Sequence, residues 1–234
     1  MARKDQLREQ RTGTVINLSS KKQEETLGKA LKSVVASLEG IFSLRYHHEK
    51  DWKLADIVAR LRTAFPEVEF YYTFESSNMR PDGGILSIED DNGRFYPILI
   101  VEVKNQGTND LRLKEGKPIQ AKGNAIERLG KNVIGLRTAL LAESIFPFVC
   151  FGYGYDFRED SSIRDRVVTI GMFGQLNQIH IVNEGTQGQF NRGSFFFREE
   201  AWTFEEMKSI MLEIAQRSIY YYFSKYGAAR FEKT

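Results

Sequence analysis

Pro81-Asp82 and Glu102-Val103-Lys104 are the fragments of this 234-residue chain best suited to chemistry. They hold two carboxylates and one ammonium, with twenty positions from Asp82 to Glu102. Carboxylate oxygens are the hard ligands a divalent cation prefers, and an ammonium beside them steadies the charge that builds when water attacks a phosphodiester. In a strand, residues i and i+2 share a face, so Glu102 and Lys104 point one way and Val103 the other. Ile98 to Val101 are apolar on both faces, as inside a sheet. Ile85-Leu86-Ser87-Ile88 reads as the partner strand, and Asp90-Asp91-Asn92-Gly93 as the turn between them. That hairpin brings Asp82 opposite Glu102. The two are predicted to share one metal ion, with the Val103 backbone carbonyl as a further oxygen ligand. Lys104 would orient or deprotonate the attacking water, or stabilise the developing charge. A turn Asp and a strand-end ion pair would leave the same fragments, so the pattern needs support from elsewhere.

That support is the run Gly123-Asn124-Ala125-Ile126-Glu127-Arg128, followed by Lys131-Asn132. At the start of a helix, Asn124 and Arg128 lie on one face, and Glu127 and Lys131 are likewise four apart. An Asn amide matches the N6/N7 edge of adenine, and Arg donates to purine N7 or to phosphate. A helix N-terminus favours phosphate as well, and Gly123 and Ala125 leave room for close approach. The blander alternative is a surface helix with an N-cap Asn and an intrahelical ion pair.

Together the motifs resemble the EcoRI family of type II restriction endonucleases, within the PD-(D/E)xK nucleases. The matching residues are Met79-Arg80-Pro81-Asp82-Gly83-Gly84-Ile85, Val101-Glu102-Val103-Lys104-Asn105-Gln106-Gly107, and Gly123 to Arg128. Weaker similarity covers Ser43-Leu44-Arg45-Tyr46, Phe146-Pro147-Phe148-Val149 and Ile210-Met211-Leu212-Glu213-Ile214, in the same order. The resemblance implies a homodimeric, Mg2+-dependent enzyme that cuts a short palindrome with an AATT centre and leaves 5′ overhangs. It implies Asp82, Glu102 and Lys104 as the catalytic set. Asn124, Ala125 and Arg128 would read the inner A·T pairs, Gln106 would contact a thymine methyl, and Glu127 would position Arg128 across the dimer. Gln120 and Ala121 stand where the family reads the outer base pair, and they depart from its pattern, leaving that pair open. Lys131 completes the candidate DNA-binding set. A companion DNA methyltransferase acting on the same site, not as a stable subunit, is implied too.

The elements that must position these residues follow from periodicity. Leu27, Leu31, Val34, Val35 and Leu38 recur at helical spacing with Gly40 as a stop, and a second helix spans about 52–64, ended by Pro66. Strands are predicted at Val68–Phe74, Phe95–Val103, Phe146–Tyr153, Val167–Met172 and Gln178–Val182. A helix is predicted from Asn124 to about Glu143, and another starts after Thr203 and runs towards Tyr226. The order is that of a mixed α/β domain. With the resemblance, this becomes a restriction-endonuclease-like fold: a central mixed five-stranded sheet flanked by helices. It would form a single domain over 21–234 with DNA-wrapping arms between 153 and 195. Residues 1–20, carrying Arg3, Lys4, Arg8 and Arg11, read as a flexible basic arm.

Composition bounds the rest. No apolar run reaches membrane-span length and the first residues lack a signal-peptide core, so a cytoplasmic protein is expected. The lone Cys150 excludes an internal disulfide and a cysteine metal cage, and its apolar neighbours predict burial. A net charge of +2 neither announces nor excludes DNA, because binding needs a basic surface rather than a basic total. His47-His48 read as surface residues. Two other functions fit parts of the pattern: a DNA-binding protein that does not cut, and a structure-selective repair nuclease, which would not need Asn124 and Arg128. A methyltransferase is disfavoured, for there is neither a glycine-rich cofactor loop after a first strand nor an Asn/Asp-Pro-Pro-aromatic tetrad.

Overall fold

A computed structural model of the chain describes residues 15–105, 116, 118, 124–159, 161, 175–183, 185 and 192–233; for 15–20 and 124–128 it describes the backbone course alone. In order, the main elements are α1 (Val15–Ile41), β1 (Arg45–Glu49), β2 (Trp52–Lys53), α2 (Leu54–Ala64), β3 (Asn78–Met79), β4 (Gly84–Glu89), β5 (Phe95–Asn105), α3 (Asn124–Ala139), β6 (Phe148–Tyr153), β7 (Ser194–Arg198) and α4 (Phe204–Tyr226). The expected hairpin is β4–β5, antiparallel, with Gly84 opposite Val101 and Glu89 opposite Phe95. Around it grows a five-stranded sheet in the order β1-β4-β5-β6-β7. β1 joins antiparallel, and β6 and β7 join parallel. The sheet is therefore mixed, as expected, and helices flank it.

Helical periodicity decides which helix covers which face. Leu27, Leu31, Val34 and Leu38 of α1 bury against Val101 and Val103 of β5, together with Met211, Ile214 and Tyr222 of α4. On the other face Ile57 and Leu61 of α2 and Leu129, Val133 and Leu136 of α3 pack on Ile85, Ile100, Phe148 and Cys150. β5 is the central strand and is covered on both sides, which is why its sequence is apolar without alternation. Each such fully buried aliphatic or aromatic side chain contributes roughly 1.5–3 kcal/mol. No helix among the described residues is long and apolar enough to cross a membrane.

α4 starts where its sequence says. Thr203 Oγ1 accepts from the Glu206 N–H (3.3 Å), and Glu206 Oε2 accepts from the Thr203 N–H (2.9 Å), a reciprocal capping box. Arg198, at the end of β7, grips the same carboxylate with two donors at 2.6 and 2.7 Å. Those guanidinium bonds, with the Thr203 cap, hold Glu206 down at about 2. A carboxyl lowered on folding stabilises above its ordinary value and loses that contribution as pH falls towards the folded one. Glu206→Gln should therefore cost about 1 kcal/mol at neutral pH, a modest figure because the pair is solvent-screened. In urea melts the gap to the parent protein should close as pH drops from about 5 towards 2.

Several elements differ from expectation. Val68–Phe74 is not a strand: Tyr71 and Phe74 are 75% and 68% exposed, and β-favouring side chains cannot make a strand without a ladder to join. Gln178–Val182 gives only a bridge between Val182 and Ile145. β6 starts at Phe148 rather than Phe146, since Pro147 has no N–H for the ladder and offers only its carbonyl, to the Ile100 N–H (2.8 Å). α3 stops at Ala139, and Trp52 lies in β2 rather than in the following helix. α1 begins at Val15, inside the segment expected as an arm. β1 and β7 were not expected as strands. Val167–Met172 and residues 1–14 lie outside the described residues.

Candidate active site

β5 outruns its partner. Its last ladder pair with β4 is Val101–Gly84, so Glu102 to Asn105 extend past the end of β4. The turn carrying Asp82 folds into the space this leaves. The Gly83 N–H donates to the Val101 carbonyl (2.8 Å) and the Gly84 N–H to the Pro81 carbonyl (3.1 Å). Both glycines are required here. A Cβ on Gly83 would lie 2.7 Å from Val101 Cβ, and Gly84 has φ +75° and would strike the Glu49 carbonyl.

Asp82 and Glu102 then exchange backbone and side-chain bonds. The Asp82 N–H donates to Glu102 Oε2 (3.1 Å), and the Val103 N–H, left over from the ladder, donates to Asp82 Oδ2 (3.2 Å). Lys104 Nζ donates to Asp82 Oδ2 at 2.9 Å and forms an ion pair with Glu102 Oε1. Thus the two carboxylates and the ammonium meet in one place, as the hairpin argument predicted. Accessibility falls inwards: the side chains of Asp82, Lys104 and Glu102 are 30%, 17% and 0% exposed.

One further partner reaches this cluster from α3. Asn132, on α3, donates from Nδ2 to Glu102 Oε1 (3.0 Å). It falls four and eight positions after Arg128 and Asn124, so the helical period carrying the proposed reading residues also carries the side chain that holds Glu102. The spacing was visible in the sequence, but its meeting with β5 was not.

Electrostatics follow from burial. Burial raises the Glu102 carboxyl above its ordinary value, against the pull of the Lys104 charge. Burial alone would lower Lys104, yet the charges of Glu102 and Asp82 outweigh it and hold the ammonium above its usual value. Lys104 is thus a firmly cationic donor. Cys150, the β6 residue beside Glu102, is fully buried as expected, and burial pushes its thiol well above the ordinary value.

The donor set suits a hard divalent cation. An ammonium already lies between oxygens from Asp82 and Glu102, so both carboxylates converge on a single cation position. Among the described residues no third His, Cys, Asp or Glu joins them. Such a sparse set fits an ion that keeps several waters or takes substrate phosphate oxygens. Beside the same turn a cavity of about 480 Å3 opens between α1 and β1, with Lys32, Lys50 and Arg80 on its walls.

Lys131 is exposed, and Asn124, Ala125, Glu127 and Arg128 lie in the first turns of α3, where the backbone alone is described. Gln106, Gln120 and Ala121 lie outside the described residues.

A mixed sheet with paired carboxylates and a lysine at the end of its central hairpin defines the restriction-endonuclease-like class of α/β nucleases. The chain belongs to the EcoRI restriction endonuclease family: the model of the family described as "Restriction endonuclease EcoRI" matches residues 10–164. The chain is 27% identical to the type II restriction enzyme RsrI of Cereibacter sphaeroides, over 88% of this chain and 87% of that one. It is also 27% identical to the type II restriction enzyme EcoRI of Escherichia coli, over 71% of this chain and 66% of that one.

Proposed function

We propose that the chain is a homodimeric, Mg2+-dependent type II restriction endonuclease that hydrolyses double-stranded DNA at a short palindrome with an AATT centre, leaving 5′ overhangs. The observation that carries this is the convergence of Asp82, Glu102 and Lys104 in a chain of this family. Asp82 and Glu102, with the Val103 carbonyl, would hold the Mg2+. When bound, that ion supplies Lewis acidity and a more acidic water at the scissile phosphate. Asn132 and the Asp82 N–H keep the Glu102 carboxylate aimed, and Lys104 holds positive charge where the attacked phosphate becomes more negative. The cations around the neighbouring cavity suit backbone phosphates.

Asn124, Ala125 and Arg128 read the inner A·T pairs in this proposal, with Glu127, Lys131 and Gln106 in support and Gln120 and Ala121 near the outer pair. A twofold dimer presents the same helix end to each half of a palindrome. A separate methyltransferase protects the same site, and both act in the cytoplasm.

Digesting a phage genome with the purified protein and Mg2+, then sequencing the fragment ends, tests the whole reading. One population of ends with a shared 5′ AATT is expected. Ends with no common AATT would overturn the roles of Asn124 and Arg128, and uncut DNA would overturn the enzyme. Asn124→Ala should lower affinity for the cognate duplex by about 1–3 kcal/mol and leave binding to unrelated DNA nearly unchanged, as read by gel-shift competition.

A further inference from the structure

The turn that carries Asp82 contains two successive glycines, which have little conformational preference of their own. Its geometry must come from what grips it. Three of its N–H groups are held by Glu102 Oε2, the Val101 carbonyl and the Pro81 carbonyl. The Gly83 carbonyl is met by a side chain: His48 Nε2 lies 2.9 Å from it. His48 belongs to the edge strand β1, opposite Leu86 of β4. The fit is close, for a Cβ on Gly84 would come within 2.7 Å of the same nitrogen.

We propose that His48 is a positioning residue for the metal site: its Nε2–H holds the Gly83 carbonyl, in the Gly83–Gly84 peptide, and so anchors the two-glycine end of the turn on which Asp82 is presented to Val103 and Lys104. A carbonyl only accepts, so the ring nitrogen is the donor, and both the Nε2–H tautomer and the imidazolium provide it. The inference rests on the reading of Asp82 as a metal ligand. A purely structural role is a poor explanation. β1 is held by its own five-residue ladder to β4, and the exposed His48 fills no core space. Its neighbour His47 is engaged elsewhere, stacked on Phe95 with centroids 4.5 Å apart and paired with Glu49. His47 therefore serves as a control one residue away.

The test is Mn2+ binding by the full-length protein, followed by water-proton relaxation, beside steady-state cleavage of a cognate duplex. His48→Ala should weaken Mn2+ binding by about tenfold and lower kcat, with KM for DNA and Tm nearly unchanged. His48→Gln, which places an amide donor at similar reach, should restore most of both; His47→Ala should behave as the parent. A His48→Ala protein with parental Mn2+ affinity would overturn the inference, as would His48→Gln no better than His48→Ala. So would a parent protein that takes up no Mn2+. If Mn2+ binding depends on His48 but no DNA is cut, the nuclease reading fails and the positioning role stands.

Discussion

Lys104→Ala protein should bind its cognate duplex and fail to cut it, with cleavage reduced by at least about 10²–10³-fold. Among the described residues Lys104 is the cation that touches both carboxylates, through Asp82 Oδ2 and Glu102 Oε1. In the proposed mechanism its loss removes the positive charge that faces the attacked phosphate. It also leaves a wholly buried Glu102 facing Asp82 without compensation, which raises the Glu102 carboxyl further and weakens its hold on a cation. Glu102→Gln tests the other half of the pair. The amide keeps the volume and can still accept from the Asp82 N–H or Asn132, but carries no charge to give a metal. Plasmid nicking with Mg2+, beside gel shifts without it, separates cutting from binding. Normal cleavage by purified Lys104→Ala protein would sink the catalytic assignment.

The second large effect lies at the far end of the hairpin. Asp90 opens the β4–β5 turn, and its side chain is fully enclosed. Oδ1 accepts from the N–H groups of Asn92 (2.9 Å) and Arg94 (2.8 Å). Oδ2 accepts from Tyr96 (3.2 Å) and twice from Arg230 (2.9 and 2.7 Å). Burial alone would raise this carboxyl, but the bonds from Arg94, Arg230, Asn92 and Tyr96 hold it below its ordinary value. Asp90→Ala leaves the turn N–H groups and the Tyr96 hydroxyl without their acceptor, so a loss of about 3 kcal/mol is expected in denaturant melts. The penalty should shrink in acid, because the stabilisation exists above the ordinary Asp value and fades as pH falls. A loss below half that figure would mean that the C-terminal segment is not an integral part of the hairpin.

What could be foreseen from sequence was whatever depends on local order. The hairpin was legible because a turn of Asp and Asn-Gly lies between two strand-forming runs, and folding back at that turn brings Asp82 beside Glu102. α4 was legible because its cap is encoded within four residues, Thr203 to Glu206. What failed depends on partners distant in sequence. Arg45–Glu49 is polar and becomes a strand only because β4 offers an edge to pair with. Ser194–Arg198 is short and apolar without alternation, so nothing local separates it from core filler until β6 lies alongside. Val68–Phe74 erred the other way, with strand-favouring residues and no edge to join. The same limit hid Asn132 and His48, whose meetings with Glu102 and Gly83 depend on how α3 and β1 lie against the sheet.

Cys150 gives the molecule a built-in clock. Its thiol sits on β6 alongside Glu102, fully enclosed, and is held protonated by that enclosure. Alkylating reagents attack the exposed thiolate, so in the native protein the reaction must wait for the packing over β6, beside Glu102, to open. The sequence has no other cysteine, so every labelled molecule has opened at this one place. The rate at which label accumulates therefore measures how often the ground beneath the carboxylates gives way, and a bound cation or DNA that steadies the site would slow it.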